Sequence, residues 1–131
     1  MKVIERFQQH PHLIFLIDGL GAILTALLLL LALPNLPEVF TTPARILQFL
    51  GSIAVILAAY SVSNYFIKLA QVRLLIRIIA VGNLLYCLLS VFIVSKLFTT
   101  ISAWDKVYFA GEVLIVLALA VFEWKLSQKV A

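Results

Sequence analysis

Apolar residues run through this chain in four long blocks, separated by short polar or proline-bearing connections. The first block, residues 13–33, reads LIFLIDGLGAILTALLLLLAL and carries a single charge, Asp18. Roughly 20 helical residues cover the ~30 Å hydrocarbon core of a bilayer, so this block is long enough to cross one. It stops at Pro34. The stretch Pro34-Asn35-Leu36-Pro37-Glu38 reads as a loop, because two prolines remove donors and bar helix continuation. The second block, 44–67, starts just after Pro43, a residue suited to the entry of a helix. A tight turn over 68–71 leads into the third, 72–98, and a loop over 99–102 into the fourth, 103–126. Ser102-Ala103-Trp104-Asp105 has the form of a capping box, with Asp105 favoured by the helix dipole. Trp104 and Trp124 are 20 residues apart, about 30 Å along a helix, which is the separation of two interfacial aromatic belts. The pattern predicts an all-α integral membrane protein: four transmembrane helices in one bundle and one domain, 1–131.

Each block also carries small or weakly polar residues at helical spacing. Asp18, Gly21, Ala22, Thr25 and Ala26 share one face of the first helix. The second repeats the pattern with Gly51, Ala54, Ala58, Ser61 and Tyr65, and the third with Ala80, Asn83, Cys87 and Ser90. The fourth offers Tyr108, Gly111, Glu112 and Ala118. Small residues at this spacing let membrane helices approach closely, with crossing angles near roughly 20°.

Composition agrees. Of the 131 residues, 64% are hydrophobic and only 12% charged, far from the norm of a soluble domain. The net charge of +4 does not point to nucleic acid, because the basic residues form no patch with interleaved aromatics. They stand at the ends of the apolar blocks, where Lys and Arg reach the headgroups. Lys2, Arg6, Lys68, Arg73, Arg77, Lys125 and Lys129 fall on one side, and Arg45, Lys96 and Lys106 on the other. The positive-inside rule then places both termini in the cytoplasm, with the protein multi-pass in an inner or plasma membrane. The opening MKVIERFQQHPH has the basic flank of a signal peptide, but the apolar run after it is too long and lacks a small-x-small exit. An uncleaved first helix is expected. The lone Cys87 excludes an intrachain disulfide.

Two constellations could carry chemistry. Counted by helix rise from the cytoplasmic ends, Asp18, Tyr60, Ser61 and Asn83 lie at one depth, about 8–10 Å inside. They would form a small polar site opening toward the cytoplasm. In the plainer alternative, Asn83 and Ser61 are interhelical glue and Arg77 dips inward to neutralise Asp18. Glu112 is the second candidate, near mid-membrane with Thr25, Cys87 and Ser90 at similar depth and no basic residue there. An ionised carboxylate at that level would meet a desolvation cost that taking up a proton removes. Ligand binding is therefore assigned to Asp18, Glu112, Asn83, Tyr60, Ser61 and Arg77, against the alternative that they only pack. Tyr60, Tyr65 and Tyr86 could line a pocket or fill the core. Glu123, beside Trp124 and Lys125, reads as interfacial and structural.

Other signals are sparse. His10-Pro11-His12 lacks partners at ligand spacing, and no metal or cofactor is expected. Neither a nucleophile elbow nor a nucleotide fingerprint occurs, since Gly19-Leu20-Gly21 lacks the third glycine and the preceding strand. Four short helices with an acid in the first, here Asp18, are broadly similar to small multidrug exporters. Those place a glutamate at that point and their surrounding motif is absent here, so the likeness is of architecture only. Three functional classes follow. A small transport or ligand-binding protein would use Asp18 and Glu112 as charged contacts of a cavity. A non-catalytic assembly subunit, in a homo-oligomer or larger membrane complex, would have a dry core. A lipid- or quinone-modifying enzyme would need a lateral opening beside Glu112 or Asn83.

Overall fold

The computed structural model describes residues 2–67 and 70–129. They form five α-helices: α1 (Lys2–Gln9), α2 (Leu13–Leu27), α3 (Ala44–Ile67), α4 (Val72–Lys96) and α5 (Ala103–Lys129). Among the described residues there is no strand, and four spans are long and apolar enough to cross a membrane. The first of these spans continues α2 through a π-helical turn, Leu28–Ala32, and a 3-10 turn, Leu33–Asn35. Residues 13–33 were expected to form one regular helix. Instead the coil widens before Pro34, with Leu29 and Leu33 both turned inward at 0% and 3% exposure. Gly51 of α3 faces this segment. A Cβ there would lie 2.6 Å from the Leu30 side chain, so only glycine allows the approach.

Helix ends differ from the sequence pattern in two further places. The third span stops at Lys96 rather than at 98 because the chain turns there, with the Thr100 and Ile101 amides donating to the Leu97 carbonyl. The fourth runs on to Lys129 because Leu126 and Ser127 are fully buried, and packing carries the helix past the apolar block. The turn expected over 68–71 lies partly outside the described residues, as does the side of the bundle assigned to Lys68. The opening dodecapeptide, read as a flank, contains α1. Its Phe7 is buried and meets Phe122 of α5 edge-to-face, with ring centroids 5.3 Å apart.

The spans associate as two hairpins, α2 with α3 and α4 with α5. Leucines point outward, as at Leu20, Leu24, Leu31, Leu85 and Leu88, each about 60% exposed. A water-soluble bundle would bury that face. Inside are two apolar clusters. One joins Phe7, Ile14, Phe15, Val72, Ile76, Ile79 and Leu126; the other joins Leu29, Leu33, Leu47, Leu50, Tyr86 and Phe109. Between them lies a polar layer.

Candidate functional site

The polar layer is built from one acid on α2, two acids on α5 and two bridging side chains on α4. Asp18 follows Ile14 and Phe15 by one turn, so it emerges from the first apolar cluster on the inward face of α2 and is 5% exposed. Asn83 follows Ile79 and Ala80 on α4 in the same way and is 6% exposed. Its amide nitrogen donates to Asp18 Oδ1 at 3.1 Å and to Glu123 Oε1 at 2.9 Å. Both partners are acceptors, which decides the orientation of the amide. One neutral side chain thus holds two carboxyls from different hairpins, leaving Asp18 Oδ2 and Glu123 Oε2 buried without a hydrogen-bond partner.

One turn beyond Asn83, the Tyr86 hydroxyl donates to Glu112 Oε1. Glu112 Oε2 likewise has no partner, and Tyr108 lies beside the same carboxyl. Between the two groups is a cavity of about 70 Å³, lined on the polar side by Asp18, Thr25, Asn83 and Tyr86. Gly21, Ala22 and Ala54 leave the room for it, and a Cβ added at Gly21 would touch nothing within 4 Å. The small-residue face of the first helix therefore lines a cavity along much of its length. A void of this size has space for a few waters or a small ion, and its polar groups would hydrogen-bond to either.

The expected site residues divide into two groups. Asp18 and Asn83 come together directly, and Glu112 joins them across the cavity through Tyr86. Tyr60, Ser61 and Arg77 stand apart. Tyr60 donates to the Leu75 carbonyl at 3.0 Å, fastening α3 to α4, and packs edge-to-face on Phe15. Ser61 is fully buried where α3 passes Gly19, close enough that a Cβ on Gly19 would reach 2.8 Å from the Val62 side chain. Arg77 does not neutralise Asp18. It donates to Ser127 Oγ at 3.2 Å and lies over the Trp124 ring, 5.1 Å from its centroid. Arg77 lies six residues before Asn83 on α4, and at that level α5 offers it an acceptor and an aromatic face. The cavity reaches the surface of the bundle between α2 and α5, where Gly21 and Ile115 of its lining are exposed.

Glu123 is the residue that the chain order concealed. Its neighbours Trp124 and Lys125 suggest the interface, yet it is fully buried and central to the network. A signal was present. Asp105, Glu112 and Glu123 are 7 and 11 residues apart, close to two and three helical turns, so all three share one face of α5. Gly111, by contrast, admits no close helix: nothing lies within 4 Å of a Cβ there. Cys87 is buried, with its thiol 3.7 Å from the Val113 carbonyl, in a packing role. Among the described residues no group of three or more His, Cys, Asp or Glu is placed to hold a metal ion. Comparison with protein-family models, with curated proteins and with solved structures finds no match to this chain.

Proposed function

We propose that this protein binds a small cationic species in the cavity between its two hairpins, as one step of its passage across a bilayer. The observation that carries this reading is Asp18. It is nearly fully buried, lines the cavity, and has one oxygen without a partner. No Lys or Arg among the described residues lies against it to cancel a charge, and an intramembrane acid in that position marks an ion or ligand pathway. The cavity opens sideways between α2 and α5, where its lining residues Gly21 and Ile115 are exposed. The space beside Asp18 suits a few waters or a small monovalent ion. The orientation that goes with this reading has both termini in the cytoplasm of a cell with the protein in its inner or plasma membrane.

A second reading, an assembly subunit, draws on a different observation. Two open apolar grooves of about 570 and 530 Å³ run along the outer face of α4 and α5, one lined by Leu84, Leu117 and Val121, the other by Val91, Val94 and Leu114. A partner helix could lie there. Cysteine labelling in a Cys87→Ser background separates the two. Under the binding reading, Gly21→Cys and Thr25→Cys react with a small cationic thiol reagent, methanethiosulfonate-ethylammonium, while the lipid-facing Ile23→Cys stays inert. A core in which all three are inert is dry, and the assembly reading then replaces the binding one.

A further inference from the structure

An acid lies beside each of the two apolar clusters. Glu123 lies one turn before Leu126 of the first cluster, and Glu112 one turn after Phe109 of the second. Between them stand Asp18, the cavity and Tyr86. We propose that Glu123, Asp18, the cavity and the Tyr86–Glu112 pair form one proton path through the bundle, so that the species handled by this protein is the proton. The inference rests on the binding reading, because it needs the cavity to hold water.

The links are specific. Asn83 holds Asp18 and Glu123 with their bonded oxygens within roughly 6 Å of each other. Their other oxygens are buried and unpartnered, so rotation of either carboxyl lets one pass a proton to the other. A proton taken up at Glu123 reaches Asp18 in this way. From Asp18 that proton moves to a water in the cavity. The water gives one of its own protons to the Tyr86 oxygen as Tyr86 releases its hydroxyl proton to Glu112 Oε1. Each hop forms one O–H bond and breaks one, and the chain of groups resets when Glu112 releases its proton on the far side. No electron moves and no co-reactant is needed.

The surroundings suit this chemistry. The groups facing Asp18 from α4 and α5 are Asn83, Glu123 and Tyr86, and α3 lines the cavity with the apolar Ala54 and Leu57; facing Glu112 are Tyr86 and Tyr108. All are neutral or acidic, and each acid has a spare oxygen. A site built for a metal ion would instead gather three or more acids around one point; here, among the described residues, only Asp18 and Glu123 meet, and Glu112 stands apart along the helix axis. Glu112 and Glu123 alone are 11 residues apart on α5, about 16 Å of rise.

The test is proton flux into vesicles of phosphatidylcholine and phosphatidylglycerol containing the purified protein, read by internal pyranine, with potassium and valinomycin setting the membrane potential. The parent should acidify the interior faster than protein-free vesicles. Tyr86→Phe keeps the ring and removes the hydroxyl, and should cut the rate about 100-fold, as should Glu112→Gln and Asp18→Asn. Glu38→Gln, in an exposed loop, should match the parent. Variants are compared only where their elution profile matches the parent, and the parent measurement needs none of them. A parent no faster than empty vesicles overturns the path, as does a Tyr86→Phe protein that conducts like the parent. If Gly21→Cys and Thr25→Cys still label in that event, the cavity reading survives and the proton path alone falls.

Discussion

Asn83 gives both of its amide hydrogens to carboxyls on other helices, one on α2 and one on α5. In hydrocarbon there is no water to replace a lost partner, so removing this side chain strands two buried oxygens at once. Asn83→Ala should therefore lower stability by roughly 2–3 kcal/mol, more than an interhelical hydrogen bond in a membrane usually contributes. Thermal unfolding in a mild detergent measures it. A variant as stable as the parent would mean that water already satisfies Asp18 and Glu123, and that Asn83 is not what holds the hairpins in register. The same reasoning explains Arg77, whose guanidinium finds Ser127 and the Trp124 face within its own reach and has no need of an acid.

At the scale of elements, the start of α5 is tied to the loop before α3 by one carboxylate. Asp105 Oδ2 accepts from the Thr41 amide at 2.7 Å, the Thr41 hydroxyl at 3.1 Å and the Ser102 amide at 3.2 Å. In return the Asp105 amide donates to Ser102 Oγ at 3.2 Å, completing the reciprocal cap legible in Ser102-Ala103-Trp104-Asp105. The cross-loop bonds to Thr41 were not legible, since they join residues 64 positions apart. Asp105→Ala removes the cap and the tether together and should cost about 2 kcal/mol. Hydrogen exchange should show the loss first in the amides of Thr41 and Ser102. Protection at Thr41 unchanged from the parent would show that the tether is not what orders the loop.

For the molecule as a whole, the sidedness drawn from seven basic residues against three can be tested from the connections. With Cys87 replaced by Ser, Glu38→Cys and Thr99→Cys should react with an impermeant thiol reagent added outside intact cells. Gln71→Cys should react only after the membrane is opened. Labelling of Gln71→Cys from outside reverses the orientation and with it the direction of the proposed path. Each of the four spans exposes several large apolar side chains outward, and Trp104 and Trp124 are exposed at opposite ends of α5.

What the chain order alone determines here is whatever depends on neighbours within a turn or two. Apolar blocks of bilayer length, prolines between them, and the cap at Asp105 all act locally, so the all-α character and the four spans could be read directly. The small-residue stripe of α2 was legible in part: Asp18 and Ala26 are buried and Ala22 and Thr25 line the cavity, but Gly21 is exposed and it is Gly19 that meets α3. Rotation and depth on the other helices were decided only by tertiary structure. Depth counted by rise put Tyr60, Ser61, Asn83 and Asp18 on one level, but helices that share a level can still face different ways. Tyr60 turns to the Leu75 carbonyl, Ser61 to the α2 crossing, and only Asn83 to Asp18. Glu123 shows the same limit in reverse. Its neighbours in sequence belong to the interface, but 100° of rotation per residue turns it from them into the core, where Asn83 of another helix supplies the partner that makes burial bearable.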